Sequence, residues 1–222
     1  MHTGRMDDCC GRGQARYDAV FDARFAGDLA RRYRRRGLTR PERRILERVA
    51  AEGVADSAVL EVGGGIGEIQ LELLRRGAAS STNLELSSAY ESEARALLEE
   101  AGVADHARRI VGIDLATDGG RVPVADHVIL HRVVCCYPDA MALLAAAAAH
   151  ARRSVIFSHP PRTWLSRAMV SVGNVVMRLR RREYRGFVHS PADMYDVLRR
   201  AGFAIDDVSR AGTWRIASAH RA

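Results

Sequence analysis

A glycine-rich stretch with a carboxylate on either side is the part of this chain best suited to bind a ligand. Residues 59–67 read Val-Leu-Glu-Val-Gly-Gly-Gly-Ile-Gly, an apolar run with Glu61 near its end. Glycine has no Cβ and adopts positive φ readily, so such a backbone can turn sharply against a ligand. The next apolar stretch ends in Glu85, at the ~20-residue separation from the glycine turn that is typical of a ribose-binding carboxylate. The spacing predicts a nucleotide-type cradle formed by Gly63, Gly64, Gly65 and Gly67 between a strand and a helix.

Spacing also separates the ligands that use such a cradle. The dinucleotide fingerprint G-x-G-x-x-G would need glycine at position 68, where Glu68 stands. A phosphate-binding P-loop needs lysine, and the chain contains none. S-adenosylmethionine has a sulfonium, an amino acid end and a ribose diol, groups that acidic side chains such as Glu61 and Glu85 suit. This cofactor is therefore favoured, and an ordinary tight turn between a strand and a helix is the alternative.

The pattern Glu-x-Gly-x-Gly-x-Gly resembles motif I of the class I S-adenosylmethionine-dependent methyltransferases. The resemblance implies that Glu85, with Leu86 just beyond it, contacts the ribose and the adenine edge. It also implies an acid near the adenine amino group after the third strand, where this chain has Asp114. The family places that acid directly after a glycine, a position held here by Ile113. A solvated loop aspartate is the alternative interpretation of Asp114.

The segment after the fourth apolar stretch resembles that of one particular group within this family. Residues 126–139 end in Cys136, Tyr137, Pro138 and Asp139. With the glycine motif, this Tyr-Pro pair is similar to the magnesium-protoporphyrin IX methyltransferase-like group of small bacterial methyltransferases. Residues 185–189, Arg-Gly-Phe-Val-His, are similar to a later segment of that group. The resemblance spans about residues 15 to 218 and indicates the reaction class far better than the methyl acceptor.

The resemblance also implies catalytic candidates. The group has a histidine implicated in catalysis directly before the tyrosine, where this chain has Cys136, and a tyrosine in an N-terminal lid helix, whose nearest counterpart is Tyr33. A thiol is a weaker base than imidazole at neutral pH, but an ionised carboxylate acceptor needs no base. Cys136 is otherwise a small buried apolar residue. His131, near the expected methionine end of the cofactor, and His159, after the fifth strand, are further candidates; no histidine set has metal-ligand spacing.

Alternating apolar stretches and amphipathic segments predict the elements that position these residues. We expect strands near 58–62, 81–86, 108–111, 126–131 and 154–158, interleaved with helices, which indicates an α/β doubly wound, Rossmann-like parallel sheet. Residues 203–208 and 213–218 are joined by a very short turn and must be antiparallel. The resemblance implies seven strands in the order 3-2-1-4-5-7-6. The ligand should then lie over the carboxyl ends of the strands.

Two further segments flank this sheet. Residues 14–35 carry an apolar stripe at helical spacing and predict an amphipathic helix, so residues 1–53 are interpreted as an N-terminal helical lid and 54–222 as the methyltransferase domain. Residues 162–186 form an insertion with an apolar half and an arginine-rich half. We interpret it as a wall of the acceptor pocket; a helix covering the sheet and an interfacial helix that contacts lipid phosphates are the alternatives.

Composition indicates one soluble domain of 222 residues. No apolar run is long enough to span a membrane and no signal region is recognisable, so we expect a cytoplasmic protein. The net charge of +7 comes from arginine alone and is interpreted as genome bias, so no nucleic acid partner is expected, although peripheral membrane contact fits the charge. The cysteine pairs 9–10 and 135–136 are expected to be reduced thiols.

These inferences predict an S-adenosylmethionine-dependent methyltransferase that acts on a small hydrophobic or anionic molecule. The alternative is a catalytically inactive binding protein of the same fold that docks RNA or membrane through its basic surface. A nicotinamide-dependent oxidoreductase is a third and weaker interpretation.

Overall fold

Seven strands form one sheet in the computed structural model, which describes residues 17–18 and 20–222. The strands are β1 Ala58–Val62, β2 Ser80–Glu85, β3 Ala107–Val111, β4 Ala125–Leu130, β5 Ala151–His159, β6 Phe203–Ala211 and β7 Trp214–Arg221. Their order is β3-β2-β1-β4-β5-β7-β6, with β7 antiparallel to both of its neighbours and the other pairings parallel. The predicted sheet order and the antiparallel last strand are confirmed.

Helices connect these strands on both faces of the sheet. They are α1 Ala23–Arg36, α2 Arg40–Glu52, α3 Glu68–Arg75, α4 Glu91–Glu100, α5 Leu115–Asp118, α6 Ala140–His150, α7 Trp164–Leu179 and α8 Pro191–Arg200, with 3-10 turns at Ser88–Tyr90, Ala104–His106 and Gly119–Arg121. Successive residues of β4 show the layering, because Val128 packs into one core and Ile129 into the other. Both are fully buried, as expected for a parallel strand covered on two sides.

The N-terminal segment differs from the single helix predicted for residues 14–35. Residues 17–18 are helical, but Val20 and Phe21 lie in a turn, and α1 begins only at Ala23. Asp22 causes the break, since its carboxylate accepts a hydrogen bond from the backbone N–H of Phe25 at 2.9 Å and caps α1. Residues 14–16 and the pair Cys9-Cys10 lie outside the described residues.

Helix α7 packs differently from the others. It contains no buried residue over its 16 positions. Most of its apolar side chains, including Trp164 and Leu179, are exposed. No helix of the described residues has both the length and the apolar character needed to cross a bilayer.

Candidate functional site

A cavity opens at the carboxyl ends of β1, β2 and β4, under the N-terminal segment. The predicted site residues that line it are Glu61, Gly63, Gly64, Gly65, Glu85, Leu86, Asp114, His131 and Cys136. The segment that covers it contributes Tyr17, Phe21, Phe25 and Leu29. Parallel strands place their carboxyl ends at one edge of the sheet, so residues far apart in the sequence meet there.

The glycine turn has the backbone that the sequence predicts. Gly63, Gly65 and Gly67 have φ of 64°, 55° and 77°, in the left-handed region that favours glycine. Gly67 does not line the cavity and is the N-cap residue of α3. Gly64 is required for a different reason: a Cβ there would lie 2.3 Å from Asn83 Nδ2 and 2.5 Å from the carboxyl carbon of Glu61. The turn therefore combines positive φ with direct packing on buried polar side chains.

Glu85 and Arg109 hold the middle of this turn from two sides. Glu85 Oε2 accepts a hydrogen bond from Gly65 N at 2.9 Å, and its Oε1 accepts one from Ser87 N at 3.0 Å. Arg109 donates to Gly65 O at 2.8 Å. Burial raises the pKa of the Glu85 carboxyl, although the bonds from Ser87 and Gly65 oppose that rise. A ligand with hydroxyl donors would find an oriented carboxylate at this point.

Glu61 lies beneath the turn and is almost fully buried. Its Oε2 accepts a hydrogen bond from Gln70 N at 3.1 Å, near the start of α3, and faces Asn83 Nδ2 at 3.5 Å. Burial, followed by the neighbouring carboxylate of Glu68, raises the pKa of Glu61 well above its usual value. The side chain thus fixes the helix start while it also lines the cavity.

Two further glutamates, Glu42 and Glu68, line the same cavity and were not among the predicted site residues. Arg32 Nη2 lies 3.5 Å from Glu42 Oε1 and 3.3 Å from Glu68 Oε1. Burial, and then the charge of Glu42, raises the pKa of Glu68 to about 7. The sequence did contain a signal, because Glu68 occupies the position where a dinucleotide fingerprint requires glycine. Glu42 also caps the start of α2, since its Oε2 accepts a hydrogen bond from Thr39 N at 2.6 Å.

His131 faces this acidic group from the end of β4. Its Nδ1 lies 2.9 Å from Ser158 Oγ, whereas its buried Nε2 lacks a hydrogen-bond partner among the described residues and is 4.0 Å from Glu42 Oε1. Burial, followed by the charges of Arg132 and Arg32, lowers the pKa of His131 to about 3. The imidazole is therefore neutral at physiological pH and presents one unpaired nitrogen.

Asp114 follows β3 and also lines the cavity. Its Oδ1 caps α5 by accepting from Ala116 N at 3.0 Å, and its Oδ2 accepts from the Tyr137 hydroxyl at 2.9 Å. The predicted Tyr-Pro segment after β4 thus holds the aspartate that follows β3. Asp114 is consequently a fixed cavity residue rather than a freely solvated one.

Cys136 lies where the exit of β4 meets the covering segment. Its thiol is 2.9 Å from the Tyr184 hydroxyl, and its carbonyl oxygen accepts a hydrogen bond from the Tyr17 hydroxyl at 3.1 Å. Hydrogen bonding from the Cys135 thiol and from Tyr184 lowers the pKa of Cys136, against the opposing effect of burial. Tyr17, Phe21 and Tyr184 form an aromatic cluster here, with ring centroids 5.6 to 6.4 Å apart.

Two predicted catalytic residues lie away from the cavity. The Tyr33 hydroxyl donates to Glu72 Oε1 on α3 at 2.6 Å, and burial followed by that bond raises its pKa. His159 Nε2 lies 2.8 Å from the Tyr195 hydroxyl, and burial lowers the pKa of His159. Neither residue lines the cavity. Tyr17 stands at the place we expected for Tyr33, because the break before α1 directs the two tyrosines to different surfaces.

The insertion does not form the pocket wall that we expected. None of the cavity-lining residues belongs to α7. Residues beyond the helix contact the exit of β4 instead. The Tyr184 hydroxyl lies against the Cys136 thiol, and Phe187 N donates to Cys135 O at 2.7 Å. Most of the apolar residues of α7 are exposed instead.

The fold was compared with those of known proteins, and several solved structures resemble it. No protein-family model matches the chain, and no curated protein sequence matches it. The magnesium protoporphyrin IX methyltransferase of Synechocystis PCC 6803 with bound S-adenosylhomocysteine is 20% identical, with a TM-score of 0.67 over 96% of this chain and 95% of that one. The fold is that of the class I methyltransferases.

Other neighbours agree on the fold but differ in their named chemistry. An O-methyltransferase family protein from Burkholderia thailandensis is 17% identical, with a TM-score of 0.71 over 93% of this chain and 63% of that one. Geranyl diphosphate methyltransferase in complex with GPP and sinefungin is 14% identical, with a TM-score of 0.64 over 82% of this chain and 77% of that one. The shared fold therefore leaves the acceptor undetermined.

Proposed function

We propose that this protein is an S-adenosylmethionine-dependent methyltransferase that acts on a small hydrophobic acceptor carrying a negative charge. The observation that carries the proposal is the convergence of Glu61, the glycine turn, Glu85 and Asp114 on one cavity at the carboxyl edge of the sheet. The structural neighbours that bind S-adenosylmethionine or S-adenosylhomocysteine support the choice of cofactor.

The donors and acceptors around the cavity fit this cofactor. Glu85 is oriented to accept from a ribose diol, and Leu86 and Ile113 provide apolar surface for an adenine ring. Asp114 is placed to accept from the adenine amino group. The carboxyl oxygens of Glu42, Glu61 and Glu68 would accept hydrogen bonds from the ammonium of the cofactor, and a bound cation would favour their ionised forms. When bound, the cofactor supplies an electrophilic methyl group, and the residues of this chain orient it and exclude water.

The covering segment and the exit of β4 would form the acceptor side. Tyr17, Phe21 and Phe25 give it an aromatic surface, while Arg132 supplies a positive charge at the cavity wall. Geranyl diphosphate methyltransferase, a neighbour whose ligand is both apolar and anionic, supports this acceptor class. We extend the proposal to the division of the chain into a lid of residues 1–53 and a catalytic domain of residues 54–222.

The titrating groups favour an acceptor that is already ionised. The lowered pKa of His131 makes it a weak base, and the Cys136 thiol is held by its hydrogen bonds to neighbouring groups. Methyl transfer depends largely on alignment of the reacting atoms, so an acceptor carboxylate needs positioning rather than proton removal. We therefore propose that His131 and Cys136 orient the acceptor.

The test uses S-adenosylhomocysteine first and cell extract second. Binding should raise the melting temperature, since a ligand that binds only the folded state stabilises it, whereas NAD(P)H should have no effect. Label from methyl-labelled S-adenosylmethionine should then enter a small-molecule fraction of the extract. Binding without transfer would support the alternative of an inactive binding protein, and failure of both would refute the proposal. We also propose that the protein is cytoplasmic, and cell fractionation would test this location.

A further inference from the structure

Helix α7 carries a continuous apolar stripe. The stripe consists of Trp164, Leu165, Ala168, Met169, Val172, Val175, Val176 and Leu179. At 3.6 residues per turn these eight positions occupy an arc of about 140° with no polar side chain inside it. Individual exposure is high, with Trp164 at 80%, Met169 at 67% and Leu179 at 78%. A stripe of this width normally packs against a core.

This stripe points away from the protein. The half-buried side of α7 is formed by Ser166, Val170, Asn174 and Met177, which lie opposite the stripe on the helix. Asn174 fixes that orientation, because its Nδ2 donates to Gly186 O at 2.9 Å while Gly186 N donates to its Oδ1 at 2.7 Å. A polar residue therefore anchors the inner side, and the apolar side is left outermost.

The segment around the stripe is strongly basic. Residues 162–185 contain seven arginines and a single acid, Glu183. The ion pairs of the described residues involve none of these arginines. Four of them, Arg180, Arg181, Arg182 and Arg185, follow the end of the helix within one short segment. The exposed apolar surface is thus bordered by unpaired positive charge.

We propose that α7 docks this protein on an anionic lipid surface, with the stripe buried among the acyl chains and the arginines at the headgroup phosphates. An exposed apolar face combined with basic residues and a tryptophan is typical of helices that lie in the membrane interface. Arginine side chains reach from an apolar face to the phosphate level, and anionic headgroups complement their charge. At 16 residues the helix is about 24 Å long, which is shorter than the ~30 Å apolar core of a bilayer. We therefore expect it to lie along the surface rather than to span the membrane.

Charge argues against a second copy of this chain as the occupant. Pairing two stripes would bring two basic segments together with only Glu183 from each to offset them.

Docking on lipid would also have a consequence for the cavity, because Tyr184, five residues beyond the helix end, contacts Cys136. An apolar acceptor could then enter from the lipid phase beside the β4 exit, a corollary that rests on the proposed function while the docking itself does not.

Vesicle co-sedimentation of the full chain tests the docking. We expect binding to phosphatidylglycerol–phosphatidylcholine vesicles and at least tenfold weaker binding to pure phosphatidylcholine. The triple variant Leu165→Gln, Val172→Gln, Leu179→Gln should lose binding at least tenfold, with an unchanged melting temperature because these side chains are exposed. The matched control Val124→Gln, Val208→Gln changes apolar residues that are 46% and 39% exposed elsewhere, and it should bind as the natural protein does.

Fluorescence locates the contact. The chain has two tryptophans, so Trp214→Phe leaves Trp164 as the reporter and Trp164→Phe leaves Trp214. Anionic vesicles should shift the emission of Trp164 to shorter wavelength and leave that of Trp214 unchanged. Equal vesicle binding by the triple variant, or no binding by the natural chain, would overturn the proposal. A vesicle-independent dimer that the triple variant abolishes would also overturn it, in favour of self-association.

Discussion

The carboxylate of Glu85 accepts a hydrogen bond from the backbone N–H of Gly65 at 2.9 Å. The end of β2 and the glycine turn after β1 are therefore coupled. Because Gly65 is also held through its carbonyl by Arg109, the position of the turn depends on side chains from both β2 and β3. Ligand affinity at this edge of the sheet should thus be sensitive to changes that leave the core intact.

Replacing Glu85 by alanine should weaken S-adenosylhomocysteine binding by about 1.5 to 3 kcal/mol, the range for hydrogen bonds to a charged group. Isothermal titration calorimetry would measure this as a dissociation constant increased roughly tenfold to a hundredfold. Glu99→Ala, which removes an exposed carboxylate from α4, is the control and should leave affinity unchanged. If both variants bind equally well, the ribose is held by another residue.

Gly64→Ala should destabilise the fold by about 1 to 3 kcal/mol, because the added methyl overpacks a filled site against Asn83 and Glu61. For a chain of this size, thermal melting should show a decrease of a few degrees for each kcal/mol. Gly173→Ala is the matched control, since a Cβ there meets nothing within 4 Å and lies inside a helix. That variant should gain about 0.5 to 1 kcal/mol. A stable Gly64→Ala protein would mean that the buried carboxamide and carboxylate can move.

The sequence predicts the sheet and its ligand edge because both depend on periodicity and on the geometry of parallel strands. The observed β1, Ala58–Val62, coincides with the predicted strand, and the other strands begin within three residues of their predicted starts. Glu85 and Asp114 reach the cavity because each follows a strand of that sheet, a relation visible in the order of apolar stretches. Gly63, Gly65 and Gly67 adopt the positive φ expected of them.

Residues that already have a role in local structure were harder to assign to the cavity from the sequence. Glu42 forms a helix cap and is also a cavity carboxylate, and only the tertiary structure reveals the second role. Tyr17 and Tyr33 lie on one predicted stripe, yet capping by Asp22 separates them. For α7, the apolar pattern predicts an apolar face but not the direction in which that face points. The hydrogen bond from Asn174 to Gly186 O fixes that direction.

The lowered pKa of His131 gives a pH prediction with a defined sign. Its pKa of about 3 lies below the value near 6.5 expected of an unfolded histidine, so the unfolded state binds more protons between these values. The free energy of unfolding should therefore fall as pH decreases from about 6.5 toward 3. His131→Asn removes this contribution, and the difference in stability should shift in favour of the variant by up to about 1.4 kcal/mol per pH unit.

The comparison of the variant with the natural protein isolates this effect. Glu68, whose pKa is raised to about 7, has the opposite dependence, but it is present in both proteins. Melting temperatures of each protein from pH 7 to pH 4 give the difference. His106→Asn, which changes an exposed histidine, is the control for the substitution itself. A constant difference between the natural protein and His131→Asn would show that folding does not lower the pKa of His131.

Tyr17 rather than Tyr33 should control opening of the cavity. Tyr17→Phe removes the hydrogen bond to the Cys136 carbonyl, which joins the covering segment to the β4 exit. A bond of this kind contributes about 0.5 to 1.5 kcal/mol, so S-adenosylhomocysteine should dissociate roughly twofold to tenfold faster. Tyr33→Phe is the matched control: it removes a bond to Glu72 on α3 and should lower the melting temperature without changing the dissociation rate. Surface plasmon resonance measures both rates. Faster release from Tyr33→Phe, with unchanged release from Tyr17→Phe, would instead return Tyr33 to the site and require a shift of α1 that brings Tyr33 to the cavity.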